Sequence, residues 1–297
     1  MIDLHVHTRY SDGTDSAAEV LRKAEEKHIE VLSITDHNSC LAYQELDGVY
    51  PSCRNGVKLI VGCEFTTSFH GNLIEVLGYG FGRKEIHHFL ETRYGHEADT
   101  RRELELRERL IRKIHDIGLP LELHHVRPKQ FPSERFERPF YEELIRHPAN
   151  KAFLEKTTGN TFGSFYRKGL SNPQSIFYLG YADFYPSMDS ILELIHATGG
   201  LAFLAHPFQY RLEDTQAFLE QIYEKSQLDG IECFHTTFSE EQMTYLTQFA
   251  QKNHLLISGG SDYHGRNKTQ HDLGVGCGNL QISRDILLDW PVNYYLG

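Results

Sequence analysis

Short apolar runs alternate with helix-forming stretches along most of this chain, and that alternation limits the fold more than any other feature. The strand candidates are Met1 to Val6, Ile29 to Thr35, Val57 to Gly62, Leu73 to Gly78, Gly200 to Ala205, Asp229 to Phe234 and Leu255 to Ser258. Helices are predicted between them. One is capped by Asp15 or Ser16 and runs to about Lys27, with Glu19 placed for a capping box. Others span Ser187 to Thr198, Asp214 to Lys225 and Ser239 to Asn253. Strand, helix, strand repeats with right-handed crossovers build a parallel sheet, and seven of them predict an α/β barrel. With 297 residues, 40% of them hydrophobic, the chain can bury the core that such a barrel needs.

One region breaks the rhythm. From about Glu85 to Tyr181 the sequence is helical and charged, then rich in aromatics and arginine, without strong strand runs. It is expected to form a helical insertion subdomain or lid (85–181), leaving 1–84 and 182–297 to the barrel. Counting 30 Lys and Arg against 41 Asp and Glu gives a net charge of −11, which repels phosphodiester backbones and argues against a long nucleic-acid footprint. No run approaches the roughly 18 apolar residues of a membrane span, and MIDLHVH lacks the pattern of a signal peptide, so a cytoplasmic location is expected. The five cysteines are scattered and form no CxxC pair, as expected of small core residues.

The 18 histidines carry the functional signal. His5 and His7 sit at i and i+2 at a strand end, which points both imidazoles to one face. Asp12 follows in RYSDG. Asp36 and His37 end the second strand, Glu64 the third, and His206 a later one in FLAHP; Asp262 and His264 follow the last in SGGSDYHG. In a parallel barrel those C-terminal strand ends converge on one rim, where active sites are built. Glu75 lies inside the apolar strand NLIEVLGYG, so it must face solvent, pair with a cation or bind metal. Asp3 and Asp36 fit positions behind the ligands, because neighbouring strand residues point to opposite faces. Mixed His and carboxylate donors suit Zn²⁺, Mn²⁺ or Fe²⁺. The set exceeds the needs of one ion. Two or three divalent ions about 3.5 to 4 Å apart would use it, with Glu64 or Asp262 bridging. Such a cluster makes hydroxide from bound water and clamps a phosphoryl group, so no Ser or Cys nucleophile is required.

DLHVHTRYSDGT, ITDHN, GCEF, AHP and GSDYHG together resemble the polymerase and histidinol phosphatase (PHP) family of metal-dependent phosphoesterases. The resemblance implies a distorted (β/α)7 barrel with a di- or trinuclear Mn, Fe or Zn site. It implies His5, His7, Asp12, His37, Glu64, His206, Asp262 and His264 as ligands, with Glu75 standing where the family often has His. The insertion and the order LAFLAHP, GIECF, LLISGGSDYHG are similar to the branch holding nucleoside 3′,5′-bisphosphate phosphatases and 5′-to-3′ exonucleases of short RNA. Members of that branch carry an Arg-Pro-His motif in the insertion. Here Arg138 and Pro139 match it and Phe140 replaces His, which makes Arg138 a phosphate-binding candidate; a surface arginine is the bland alternative. Arg9 could aid phosphate binding or crowd the rim. Gln209 and Tyr210 stand where relatives place a basic residue, for which Arg211 could substitute.

The expected function is hydrolysis of a phosphate monoester, with a nucleoside 3′,5′-bisphosphate or a short oligonucleotide 5′ end as substrate. Turnover should depend on Asp262 and His206, with His235 a general acid or phosphate contact, or else an ordinary half-exposed loop histidine. Tyr263, Phe208 and Tyr210 are placed either to stack a base or to pack beneath the rim. The rival readings are a histidinol-phosphate phosphatase and, in another class, a metal-binding module without catalysis.

Overall fold

Several of the described helices begin where a hydroxyl or carboxylate can accept an orphan backbone N–H. Ser16 and Ser239 each close a full capping box, with Glu19 and Gln242, and Ser187 and Asp214 cap the two helices that precede β5 and β6. In chain order the elements are β1 (Ile2–Val6), α1 (Ala17–Glu26), β2 (Val31–Ile34), α2 (Leu41–Asp47), β3 (Lys58–Phe69), β4 (Asn72–Tyr79) and α3 (Arg83–Tyr94). There follow α4 (His96–Asp116), α5 (Glu137–Leu144), α6 (Pro148–Thr157) and α7 (Phe162–Ser164). The last group is α8 (Met188–Ala197), β5 (Leu201–Leu204), α9 (Thr215–Lys225), β6 (Gly230–His235), α10 (Glu240–Lys252) and β7 (Leu256–Gly260). The computed structural model describes residues 1–47, 56–131, 134–210 and 212–291.

The seven strands form one sheet in sequential order, β1 to β7. Its edges meet: Val6 bridges Tyr263, His7 N–H donates to the Tyr263 carbonyl at 2.8 Å, and Asp262 N–H donates to the His5 carbonyl at 2.9 Å. The result is the distorted (β/α)7 barrel that the sequence predicts, with one correction. The sheet is not all parallel. β3 runs on to Phe69 instead of ending near Gly62, and β4 pairs antiparallel with both β3 and β5. The cause is local. His70 and Gly71 take φ of 49° and 80°, a two-residue hairpin turn, and so short a connection can only reverse the chain.

Two compact units are present: Met1–Arg93 with the chain from Tyr185 onward, and Tyr94–Phe184. The first is the barrel, its interior filled by Ile2, Leu4, Val31, Ile60, Leu77, Tyr79, Leu201 and Phe203. The second is helical, with a core of its own from Leu106, Leu110 and Ile114 of α4, Phe140 and Leu144 of α5, Leu154 of α6, Phe165 and Phe177. Among the described residues no helix is long and apolar enough to cross a membrane.

Candidate metal centre

His5 and His7 leave β1 with both imidazoles fully buried. The chain then folds back on itself, because the Asp36 carboxylate accepts from Thr8 N–H (2.7 Å), the Thr8 hydroxyl (2.6 Å) and the Ser11 hydroxyl (2.6 Å). Gly13 N–H donates to the Thr8 carbonyl, and a Cβ at Gly13 would collide with the His7 backbone. This loop delivers Asp12 to the histidines, with Oδ1 3.1 Å from His264 Nε2 and 3.6 Å from His7 Nδ1. Two residues before His5 on β1, Asp3 accepts from Ser261 N–H and hydroxyl and from Gly274 N–H. It thereby holds the chain at Asp262, which adopts the left-handed φ of 53°.

Glu64 stands at the centre. Its Oε2 lies 3.2 Å from His5 Nε2, 3.3 Å from His7 Nε2 and 3.1 Å from His37 Nδ1, and its Oε1 lies 2.7 Å from His206 Nε2. Glu75 comes in from β4, 3.5 Å from His37 Nδ1 and 3.3 Å from His206 Nε2; the reversal of that strand brings its early residues to the rim. Asp262 Oδ1 is 3.4 Å from both His7 Nε2 and His264 Nδ1. All nine residues predicted as ligands therefore converge. They form overlapping sets, His5 with His7 and Glu64, His37 with Glu64 and Glu75, and His7 with Asp12, His37 and His264, with the donor atoms of each set within 4.8 Å of one another.

Proton positions test whether these sets fit cations. His264 Nδ1 lies 2.8 Å from the Asp262 carbonyl, which can only accept, so Nδ1 carries the proton and Nε2 presents a lone pair to Asp12. That Nε2 is buried and has no hydrogen-bond partner, and neither has His37 Nδ1 beside Glu64. A lone pair aimed at a carboxylate oxygen repels it unless a cation lies between them, so the His264–Asp12 pair fits a bound divalent ion. The charges agree. Burial alone would raise Glu64 and Asp262, yet the surrounding histidines hold both well below the usual carboxylate range. Burial alone would lower His7 and His206, yet the carboxylates beside them raise each to about 9.

With this geometry in view the comparisons with known proteins are decisive at the level of family. The PHP domain model matches residues 3–239. The chain belongs to the PHP domain family. Among curated proteins it is 24% identical to a 5′-3′ exoribonuclease of Haemophilus influenzae over 96% of this chain and 93% of that one. It is 26% identical to a phosphoribosyl 1,2-cyclic phosphate 1,2-diphosphodiesterase of Eggerthella lenta, covering 89% of this chain and 94% of the relative. It is 24% identical to a 3′,5′-nucleoside bisphosphate phosphatase of Chromobacterium violaceum, covering 92% and 90%. A solved structure from Chromobacterium violaceum, described as an amidohydrolase with bound sulfate and no metal, shares the fold with a TM-score of 0.62 at 21% identity, over 92% of this chain and 89% of that one.

The PHP centre also contains residues that the sequence reading passed over. Glu232 is fully buried on β6, with Oε1 2.8 Å from His5 Nδ1 while Oε2 accepts from His206 N–H at 2.8 Å, so one carboxylate orients parts of β1 and the β5 loop together. A charged residue between Ile231 and Cys233 in an apolar strand is the same signal that singles out Glu75. His235 is the last residue of β6 and is fully buried, which corrects the half-exposed loop alternative. Its Nε2 lies 3.5 Å from Asp262 Oδ2, and burial lowers its pKa. Tyr210, Tyr263 and Phe208 pack: the Tyr210 hydroxyl donates to the Ala205 carbonyl, Tyr263 donates to Asp15, and Phe208 sets its ring edge-on to Phe238. Arg9 donates to Glu45 at 3.0 Å. Arg138 belongs to the helical unit, its guanidinium over the Phe162 ring at 4.6 Å. Arg211 lies outside the described residues.

Proposed function

We propose that this PHP-domain phosphoesterase releases phosphate from a nucleoside 3′,5′-bisphosphate or from the 5′ end of a short oligonucleotide. The observation that carries the reading is the convergence of nine His, Asp and Glu side chains, Glu64 among them, with the buried His264 Nε2 lone pair facing Asp12. The named activities of the Haemophilus and Chromobacterium relatives support the substrate class. His5, His7, Glu64 and Asp262 would hold one ion, Glu64, Glu75 and His206 a second, and Asp12, His37 and His264 a third. Bound divalent ions would supply an activated water and neutralise phosphate charge. The protein's part is to fix those ligands, through Asp36, Glu232 and Asp3, and to place His235 behind Asp262 as a phosphate contact or proton donor. Arg138 and Arg9 are the proposed substrate-binding arginines, and 85–181 is the proposed helical insertion.

A second reading, cleavage of a cyclic phosphodiester, is favoured by the Eggerthella relative. The test is hydrolysis with Mn²⁺ of a nucleoside 3′,5′-bisphosphate, a 5′-phosphorylated oligoribonucleotide, a ribose 1,2-cyclic phosphate and histidinol phosphate in parallel, read both as inorganic phosphate released and as monoester or nucleotide products separated by chromatography. Selective turnover of the first two is expected. Preference for the cyclic ester or for histidinol phosphate would replace the proposed substrate, and stoichiometric metal with no turnover of any ester would leave a metal-binding module.

A further inference from the structure

The segment that follows His264 takes no part in that reading, yet its position is firmly fixed. Gly265 has φ +62° and passes so close to Thr14 that a Cβ there would collide with the hydroxyl. Arg266 N–H donates to that hydroxyl at 2.9 Å, and the Asn267 amide donates to the Asp12 carbonyl at 2.7 Å. These contacts tie the turn Gly265–Lys268 to the loop that carries Asp12. At its end, Lys268 Nζ donates to Asp262 Oδ2 at 2.6 Å, while Oδ1 of the same carboxylate faces His7 and His264. An ammonium is thus held one carboxylate away from the donor cluster by backbone that cannot drift.

We propose that Lys268 is a substrate-phosphate contact, its ammonium meeting a non-bridging oxygen of a phosphate seated on the donor cluster; the proposal rests on the phosphoesterase reading above. An ammonium has three donors, and the side chain is 38% exposed, so two N–H groups remain beyond the one given to Asp262. The cluster places four carboxylates together, Asp12, Glu64, Glu75 and Asp262, in a chain of net charge −11, and an incoming phosphate needs positive charge at that rim. The Arg9 guanidinium is shared with Glu45. The rival is that Lys268 only orients Asp262, and the two differ in what they do to metal.

The experiment uses the full chain loaded with Mn²⁺ and compares the wild type with Lys268→Ala and Lys268→Arg. KM for the ester turned over best, the inhibition constant of inorganic phosphate, kcat and metal content are measured for each. In Lys268→Ala, KM and the inhibition constant should each rise about tenfold, as expected for loss of one charged hydrogen bond, with metal content unchanged. Lys268→Arg should recover most of that loss. An unchanged inhibition constant, or a loss that tracks loss of metal, would overturn the proposal in favour of the orienting role. If the wild type turned over no ester, the phosphoesterase reading would fail separately. Calorimetric binding of inorganic phosphate to the same loaded proteins would still decide the role of Lys268.

Discussion

Glu64 of the barrel and Glu134 of the helical unit are both buried carboxylates, and each unit answers the burial differently. Glu134 receives two guanidinium N–H groups from Arg127, at 2.6 and 2.9 Å, and the Gln130 N–H at 2.6 Å, which hold it down to about 2. Glu64 is met by four histidines, His5, His7, His37 and His206. A guanidinium keeps its charge at any pH a protein meets, whereas an imidazole gives its proton up near neutrality. The helical unit thus satisfies its buried acid permanently from within the chain. The barrel satisfies its own with imidazoles whose protons can leave, and this conditional arrangement sits at the candidate metal centre.

That contrast can be broken most severely at Asp262. Asp262→Ala should lower turnover by more than about a hundredfold and deplete metal, since even outer partners of ligands are worth 10–100-fold. Arg127→Ala should change thermal stability while leaving metal content intact. Metal analysis and steady-state rates on both variants check this; retained activity in Asp262→Ala would remove that residue from the site. A smaller effect is expected at Glu232, where Glu232→Gln should weaken Mn²⁺ affinity by about 10–100-fold through a misoriented His5. Metal titration against a fluorescent chelator reads it, and unchanged affinity would mean that β1 alone aims His5.

The smallest effect is one of pH. His7 and His206 are raised to about 9. Chelator-treated protein therefore carries a stabilising contribution that is complete below the ordinary histidine value near 6.5 and fades as pH rises through 9. Its melting temperature should fall by a few degrees over that window, and apparent Mn²⁺ affinity should climb over the same range as the competing protons depart. A flat melting temperature would mean that the two imidazoles are already neutral. The Arg127–Glu134 pair should contribute nothing to this window.

Much of the site is legible in the chain because the ligands are local signatures. HxH at a strand end, a carboxylate closing an apolar run, and Ser16 or Ser239 three residues before Glu19 or Gln242 each depend on a handful of neighbours. What escapes is non-local. Glu232 matters only because β6 lies beside β5 and across from β1, and Lys268 only because Gly265 threads past Thr14. The reversed β4 escapes for a different reason: the turn His70–Gly71 lacks the Asn-Gly or Asp-Gly signal, so FTTSF reads as loop when it is the second half of a long strand.

Closure of the barrel between β1 and β7 also sets a timetable. The candidate ligands begin at His5 and end at His264, and contacts such as the Asp262 N–H on the His5 carbonyl join the two ends. A ribosome adding roughly 5–20 residues per second has displayed the first histidines for on the order of ten seconds or more before their distant partners exist. During that interval the nascent chain offers an open half-cup of histidines without Asp262. The centre is therefore a product of the last stretch of synthesis, and a message broken before codon 262 yields a chain that has most of the barrel and no complete site.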